Sequence, residues 1–170
     1  MIIVFRYGHR IFRDKRISTH VALVARAFMA NKMIYCGDKD NNLEKSIQEL
    51  KKNFGNDFQI EYCEDWKKKV DQLKNSGFKI VHLTMYGEAF LEKKEELKKE
   101  SDLVVFVGSQ KVPSEIYKLA DYNISITFEP HSEVAALAIF LNEIYEKKPL
   151  EKESKNKQLF QKILRLKIKK

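Results

Sequence analysis

Glycine is scarce in this chain and widely spaced. The six glycines fall at 8, 37, 55, 77, 87 and 108, and no two are separated by a single residue. The G-x-G-x-x-G turn that lets a dinucleotide approach the backbone is therefore absent. So are the P-loop, which needs glycines five apart followed by lysine, and the G-x-S-x-G nucleophile elbow. Cysteine is rarer still. Cys36 and Cys63 stand without the short-spaced partners that a zinc site needs, so no metal is expected and both read as small apolar residues in or near strands. No apolar run approaches the ~20 residues of a membrane span. The opening MIIVFRYGHR lacks the longer apolar stretch and cleavage site of a secretory signal. These absences lead us to expect a cytoplasmic protein that meets no membrane.

What is abundant is charge on an apolar frame. Of 170 residues, 44% are hydrophobic and 33% charged, enough apolar material for a folded domain. The net charge is +8, and excess positive charge draws a protein to polyanions by counterion release, which makes nucleic acid the first partner to consider. A lysine-rich, merely solvated surface would give the same number.

Short apolar runs alternate with amphipathic segments. Strands are expected at Ile2–Phe5, Lys32–Cys36, Phe58–Tyr62, Lys79–Leu83, Leu103–Val107 and Tyr122–Ile126. Helices are expected at Ser18–Ala30, capped by Ser18 or Thr19, and at Asn42–Asn53, Asp65–Asn75, Leu91–Lys99, Pro113–Leu119 and Ser132–Glu146. Alternating strands and helices predict an α/β fold with a parallel sheet covered on both faces. The chemistry of the chain changes near its end, so residues 1–148 read as one domain and 149–170 as a basic extension, with Lys147–Lys157 as a linker.

Three loops end predicted strands: His82-Leu83-Thr84-Met85-Tyr86-Gly87, Gly108-Ser109-Gln110-Lys111-Val112-Pro113, and Ile126 to Glu133. Ligands of open α/β sheets bind beyond the carboxyl ends of strands. These loops are rich in backbone donors and acceptors and poor in acid–base pairs, which suits holding a cofactor. As ordinary loop chemistry, Gly108 would be a turn and Pro130-His131-Ser132 a helix start, with His131 neutral because a helix N-terminus disfavours an imidazolium. His82 ends a strand and is as readily structural as functional. A basic cluster, Arg6, His9, Arg10, Arg13, Lys15, Arg16 and His20, precedes a helix whose Val21, Val24, Ala25 and Phe28 form a core stripe. Such arginines can grip phosphates or simply be solvated.

The segments GHR-x-x-RDKR-x-x-THVAL-x-ARAF (8–28), HLTMYG (82–87), G-x-x-KVP (108–113), and ADYN followed by PHSEVAALA (120–138) resemble, in order and spacing, the archaeal tRNA (cytidine-56-2′-O)-methyltransferases. The likeness covers roughly residues 1–145. It implies a SPOUT fold with a C-terminal trefoil knot, S-adenosylmethionine as cofactor, tRNA as partner and a homodimer. Carried over by motif, the cofactor residues are Leu83, Gly108, Ser109, Gln110, Lys111, Val112, Thr127, Phe128, Glu129, Pro130, His131, Ser132, Glu133 and Val134, largely through their main chain. The RNA-facing residues are His9, Arg10, Arg13 and His20. The chain departs from the family at Met29, where relatives usually have glycine, at Ser109-Gln110 in place of Ala-Glu, and at Thr127-Phe128-Glu129 in place of Gly-Asn-Gln.

Related knotted enzymes place an arginine at the reacting 2′-hydroxyl. By alignment on the ARAF end that position falls on Leu23, so Arg16, Arg10 and Arg26 are the candidates, with Arg16 preferred. Arginine is a poor base, so positioning and charge stabilisation are the expected roles. Two other readings fit the residues: a non-catalytic RNA-binding protein that keeps the fold, and a methyltransferase acting on a different RNA nucleotide.

Overall fold

A computed structural model describes residues 1–151 apart from Asn56 and residues 109–111, and the backbone alone of Lys15. The expected basic extension lies, from residue 152 onward, outside the described residues. The elements are β1 (Ile2–His9), α1 (Ile11–Ala27), β2 (Lys32–Gly37), α2 (Asn41–Phe54), β3 (Gln59–Tyr62), α3 (Trp66–Asn75), β4 (Lys79–Ala89), α4 (Phe90–Leu97), β5 (Leu103–Val107), α5 (Ser114–Leu119), β6 (Tyr122–Ser125), α6 (Glu133–Ile144) and the short α7 (Lys148–Glu151).

The expected parallel α/β sheet is present. Six strands run in the order β3-β2-β1-β5-β4-β6, with every neighbouring pair parallel. The middle strand β5, Leu-Val-Val-Phe-Val, is buried along its whole length, as a strand covered on both faces must be. Alternation along the strands sorts side chains to two cores. Ile2, Val4, Leu103, Val105 and Val107 pack with α1, α2, α4 and α6. Ile3, Phe5, Ile34, Val104 and Phe106 pack with α3 and α5. The chain leaves β1 toward β2 but leaves β5 toward β6. The crevice beyond the carboxyl ends of β1 and β5 is thus a topological switch point, where such sheets bind ligands.

Three local features differ from the sequence reading. First, α1 begins at Ile11, not Ser18, and its N-cap Arg10 makes no side-chain cap. The start is held instead by a distant group, the Asp38 carboxylate, which accepts the Ile11 N–H at 3.0 Å. Ser18 consequently lies inside the helix and is buried. Second, β4 continues past Leu83. Both Leu83 and Glu88 pair with Ile124, so residues 84–87 loop out of the strand before it resumes. Gly87 permits the return, because a Cβ there would lie 2.6 Å from the Ile124 nitrogen. Third, Met29, just past α1, has φ of +70°, a left-handed conformation at which glycine is unstrained.

Candidate functional site

The loops beyond β4, β5 and β6 enclose a cavity of about 320 Å³ lined by Leu83, Thr84, Met85, Gly108, Ile124, Ile126, Pro130, His131, Glu133 and Ala136. That is within the ~300–1,000 Å³ range of small-molecule sites. Of the expected cofactor residues, Leu83, Gly108, Pro130, His131 and Glu133 are brought together on its wall. Ser109, Gln110 and Lys111 lie outside the described residues. The others do not line it. Val112 packs against the α3/α5 core, and Val134 against the core on the opposite face. Ser132 caps α6, its hydroxyl accepting the Val134 N–H at 3.2 Å. Phe128 is exposed. Thr127 and Glu129 shape their own loop: the Thr127 carbonyl accepts from the Ser125 hydroxyl at 2.8 Å, and the Thr127 hydroxyl accepts the Glu129 N–H at 3.3 Å. His131 Nδ1 stands 2.6 Å from the Glu129 carbonyl, and since a carbonyl only accepts, Nδ1 carries the proton.

Of the other lining residues, Thr84, Met85 and Ile126 lie in loops that the sequence singles out without assigning them individually to the cofactor, and Ile124 and Ala136 escaped it altogether. The signals were there in part. Ile124 and Ile126 alternate to one side of a strand and its continuation. Ala136 stands three residues after Glu133 and so shares its helix face. Thr84 and Met85 belong to the looped-out segment, whose excursion no local pattern announces.

Below the cavity floor lies a buried polar chain. Arg6, fully buried on β1, donates from Nη1 to the Gly108 carbonyl at 2.7 Å and reaches the Glu133 carboxylate at 3.3 Å. Its Nε donates to Ser18 Oγ at 3.3 Å. Burial lowers the Arg6 pKa, and Glu133 opposes the shift. Ser18 Oγ, which accepts from Arg6, also lies within hydrogen-bond distance of His9 Nδ1, at 2.8 Å. His9 Nε2 lies 3.4 Å from Asp40. Asp40 in turn caps α2 by accepting the Asn42 and Leu43 N–H groups at 2.8 and 3.1 Å. His9 was expected to face RNA. The structure corrects this: the ring is fully buried, edge-on to Tyr35 at 5.7 Å, because β1 runs on through it.

The arginine candidates separate along α1. Arg10 chelates Asp14 at 2.7 Å. Burial alone would raise the Asp14 pKa, but the hydrogen bond from Arg10, with the charges of Arg6 and Arg13, holds it below the usual carboxylate value. Arg26 is corrected. It sits at the other end of α1, away from the cavity, where its Nη2 donates to the Gly55 carbonyl at 2.8 Å and its guanidinium covers Phe54 at 5.8 Å. Arg16 is exposed, as are Arg13 and His20. Arg16 stands about 200° round the helix from Ser18 and so points away from the sheet.

His82 lies at the end of the regular part of β4, on the α5 side. Its Nδ1 is 2.9 Å from Asn123 Oδ1, and its ring meets Tyr117 edge-on at 4.7 Å. Burial lowers its pKa, only partly offset by Asn123. Among the described residues no group of three or more His, Cys, Asp or Glu is placed to hold a metal, and no helix is long and apolar enough to cross a membrane.

The parallel sheet and its loops share their fold with solved methyltransferases of the SpoU/TrmH (SPOUT) type. The chain aligns with the TrmH/SpoU tRNA modifying enzyme of A. aeolicus at a TM-score of 0.63 and 23% identity, over 96% of this chain and 85% of that one. It aligns with the SpoU methyltransferase AviRb from Streptomyces viridochromogenes, solved in complex with AdoMet, at a TM-score of 0.65 and 13% identity, over 87% of this chain and 57% of that one. These likenesses define the fold. Sequence defines the family. The chain belongs to the tRNA ribose 2′-O-methyltransferase family aTrm56, whose family model matches residues 54–168. It is 47% identical over 163 residues to the tRNA (cytidine(56)-2′-O)-methyltransferase of Thermococcus kodakarensis, covering 94% of this chain and 90% of that protein.

Proposed function

We propose that this protein methylates the ribose 2′-oxygen of cytidine 56, in the TΨC loop of tRNA, with S-adenosylmethionine as donor. The observation that carries the reading is the family match, with 47% identity to a named cytidine-56 enzyme across nearly the whole of both chains. The cavity fits the donor chemically. Leu83, Met85, Ile124, Ile126 and Ala136 supply apolar wall, Gly108 and Pro130 supply main chain, and Glu133 supplies a carboxylate for a cation. The donor, when bound, supplies a sulfonium methyl open to in-line attack by the 2′-oxygen. The protein's part is alignment and help in removing the hydroxyl proton. Arg16 is assigned to the reacting hydroxyl, since Arg10 is engaged with Asp14 and Arg26 lies at the far end of α1. Arg10, Arg13 and His20 are assigned to tRNA.

Several finer features belong to the same reading. A C-terminal trefoil knot belongs to this reading through the family match. A homodimer is the assigned working state, with Ile139, an exposed apolar residue on α6, as surface for the second copy. The protein is assigned to the cytoplasm, and residues 149–170 act as a basic extension.

The test is incubation of unmodified tRNA transcript with radiolabelled S-adenosylmethionine, followed by nucleotide identification. The expected product is 2′-O-methylcytidine at position 56. Label at another nucleotide would overturn the substrate assignment, and absence of cofactor binding would favour an RNA-binding protein that has kept the fold. Arg16→Ala is expected to lose turnover while binding the cofactor as the parent does. Normal turnover by that variant would remove Arg16 from the mechanism.

A further inference from the structure

Among the described residues Arg6 is the one lysine or arginine buried away from solvent. Its place follows from strand alternation: Ile2, Val4 and Arg6 share the face of β1 that meets α1 and α6. A leucine at position 6 would continue that core. Burying a guanidinium instead is costly unless its partners repay the lost hydration, so the partners indicate what the residue is for. They come from three separate elements: the Gly108 carbonyl beyond β5, Glu133 in the first turn of α6, and Ser18 in the middle of α1. Two of the three, Gly108 and Glu133, line the cavity. Arg6 itself does not line it.

We propose that Arg6 is a positioning residue for the methyl donor, holding the Gly108 carbonyl and the Glu133 carboxylate at a fixed separation across the cavity wall. This rests on the reading of that cavity as the donor site. The planar fork suits the task, because Nη1 serves both wall groups while Nε is held by Ser18, so the fork cannot pivot. A lysine keeps the charge but has one nitrogen, and it cannot grip α1 and the cavity wall together. Glu133, one-third exposed, would without Arg6 keep its charge and lose its place. Arg6 therefore acts through Gly108 and Glu133.

The test is a double-variant cycle on Arg6→Lys and Glu133→Gln in the full chain. Binding of S-adenosylmethionine is followed by calorimetry, steady-state turnover is measured on tRNA, and ligand-free melting is measured beside them. Each single change is expected to weaken cofactor binding roughly ten- to a hundredfold, the scale of one charged hydrogen bond. The double variant is expected to be no weaker than the worse single one. The cofactor KM should rise more than kcat falls. A purely structural arginine would instead give binding losses that follow the melting temperature and add in the double variant. That result, or binding within about twofold of the parent in both single variants, overturns the proposal. If Arg6→Lys does not fold, Ser18→Ala, which frees Nε and also removes the Ser18 contact to His9, takes its place in the cycle, with His9→Gln as the control for that second contact. Ile126→Trp, which fills the cavity, separates the two readings. If it binds cofactor as the parent does, the cavity assignment fails whatever Arg6 does.

Discussion

On the α3/α5 side of the sheet, Phe5 and Phe106 stack with centroids 4.9 Å apart, and Tyr7 and Trp66 close around Phe106 at 5.9 and 6.3 Å. On the α1/α6 side, the residue between Phe5 and Tyr7 is Arg6, joined through Ser18 and His9 to Asp40. Consecutive residues of one strand thus feed an aromatic core and a buried polar chain. The aromatic side gains by area and dispersion, which ask little of exact placement. The polar side gains little net stability, because each hydrogen bond replaces one to water, but its groups have fixed partners and fixed directions. The difference teaches where to look for function: the side that spends burial on charge is the side whose partners line the cavity.

The comparison breaks most visibly at Phe106. Fully buried at the centre of the aromatic side, it is expected to cost about 3–5 kcal/mol of unfolding free energy when cut to alanine. Denaturant unfolding measures that loss. Cofactor affinity per folded molecule should stay near the parent value, since the Phe106 ring packs with Phe5, Tyr7 and Trp66 in the α3/α5 core. An affinity loss much larger than the stability loss would show that the two sides are not separable.

His82 sharpens the comparison, because it is a titratable group on the aromatic side. Its folded pKa is lowered by burial from an unfolded value of 6.5. Below pH 6.5 the unfolded chain takes up a proton that the folded chain resists, so stability is full above that pH and falls as the pH drops toward the lowered folded value. His82→Gln keeps an amide able to pair with Asn123 and removes the titration. Melting curves between neutral and mildly acidic pH should show a steeper acid loss for the parent than for the variant. Equal slopes would mean that burial of His82 carries no linkage.

Much of this was legible in the sequence, for identifiable reasons. Leu103–Val107 is bounded by Asp102 and Gly108, and β5 begins and ends where that apolar run does. Ser132 reads as a cap and is one. The motif segments 82–87 and 130–138 do come together at the cavity. What escaped depended on residues far apart in the chain. The start of α1 is held by Asp38, 27 residues away, so a local search for a cap settled on Ser18. Arg6 was visible as part of a basic cluster, but only its 102-residue reach to Gly108 gives it a role. His9 read as one more basic residue facing outward because nothing local shows that β1 continues through it.

The smallest expected effect lies on the α1/α6 side, at the end away from the cavity. Met29 adopts a φ of +70° directly after α1, with its carbonyl accepting from Tyr145 at 3.1 Å. Its Cβ makes that conformation cost about 1–2 kcal/mol. Glycine would remove the strain but widen the unfolded ensemble, giving back roughly 0.4–1 kcal/mol. Met29→Gly is therefore expected to stabilise by about 1 kcal/mol or less, seen as a rise of a few degrees in melting temperature. Cofactor affinity should not move, since Met29 is remote from Arg6, Gly108 and Glu133. A fall in melting temperature would mean that the Met29 side chain contributes more packing than its backbone costs. A change in cofactor affinity would mean that strain at one end of α1 reaches Ser18 and, through it, the guanidinium of Arg6.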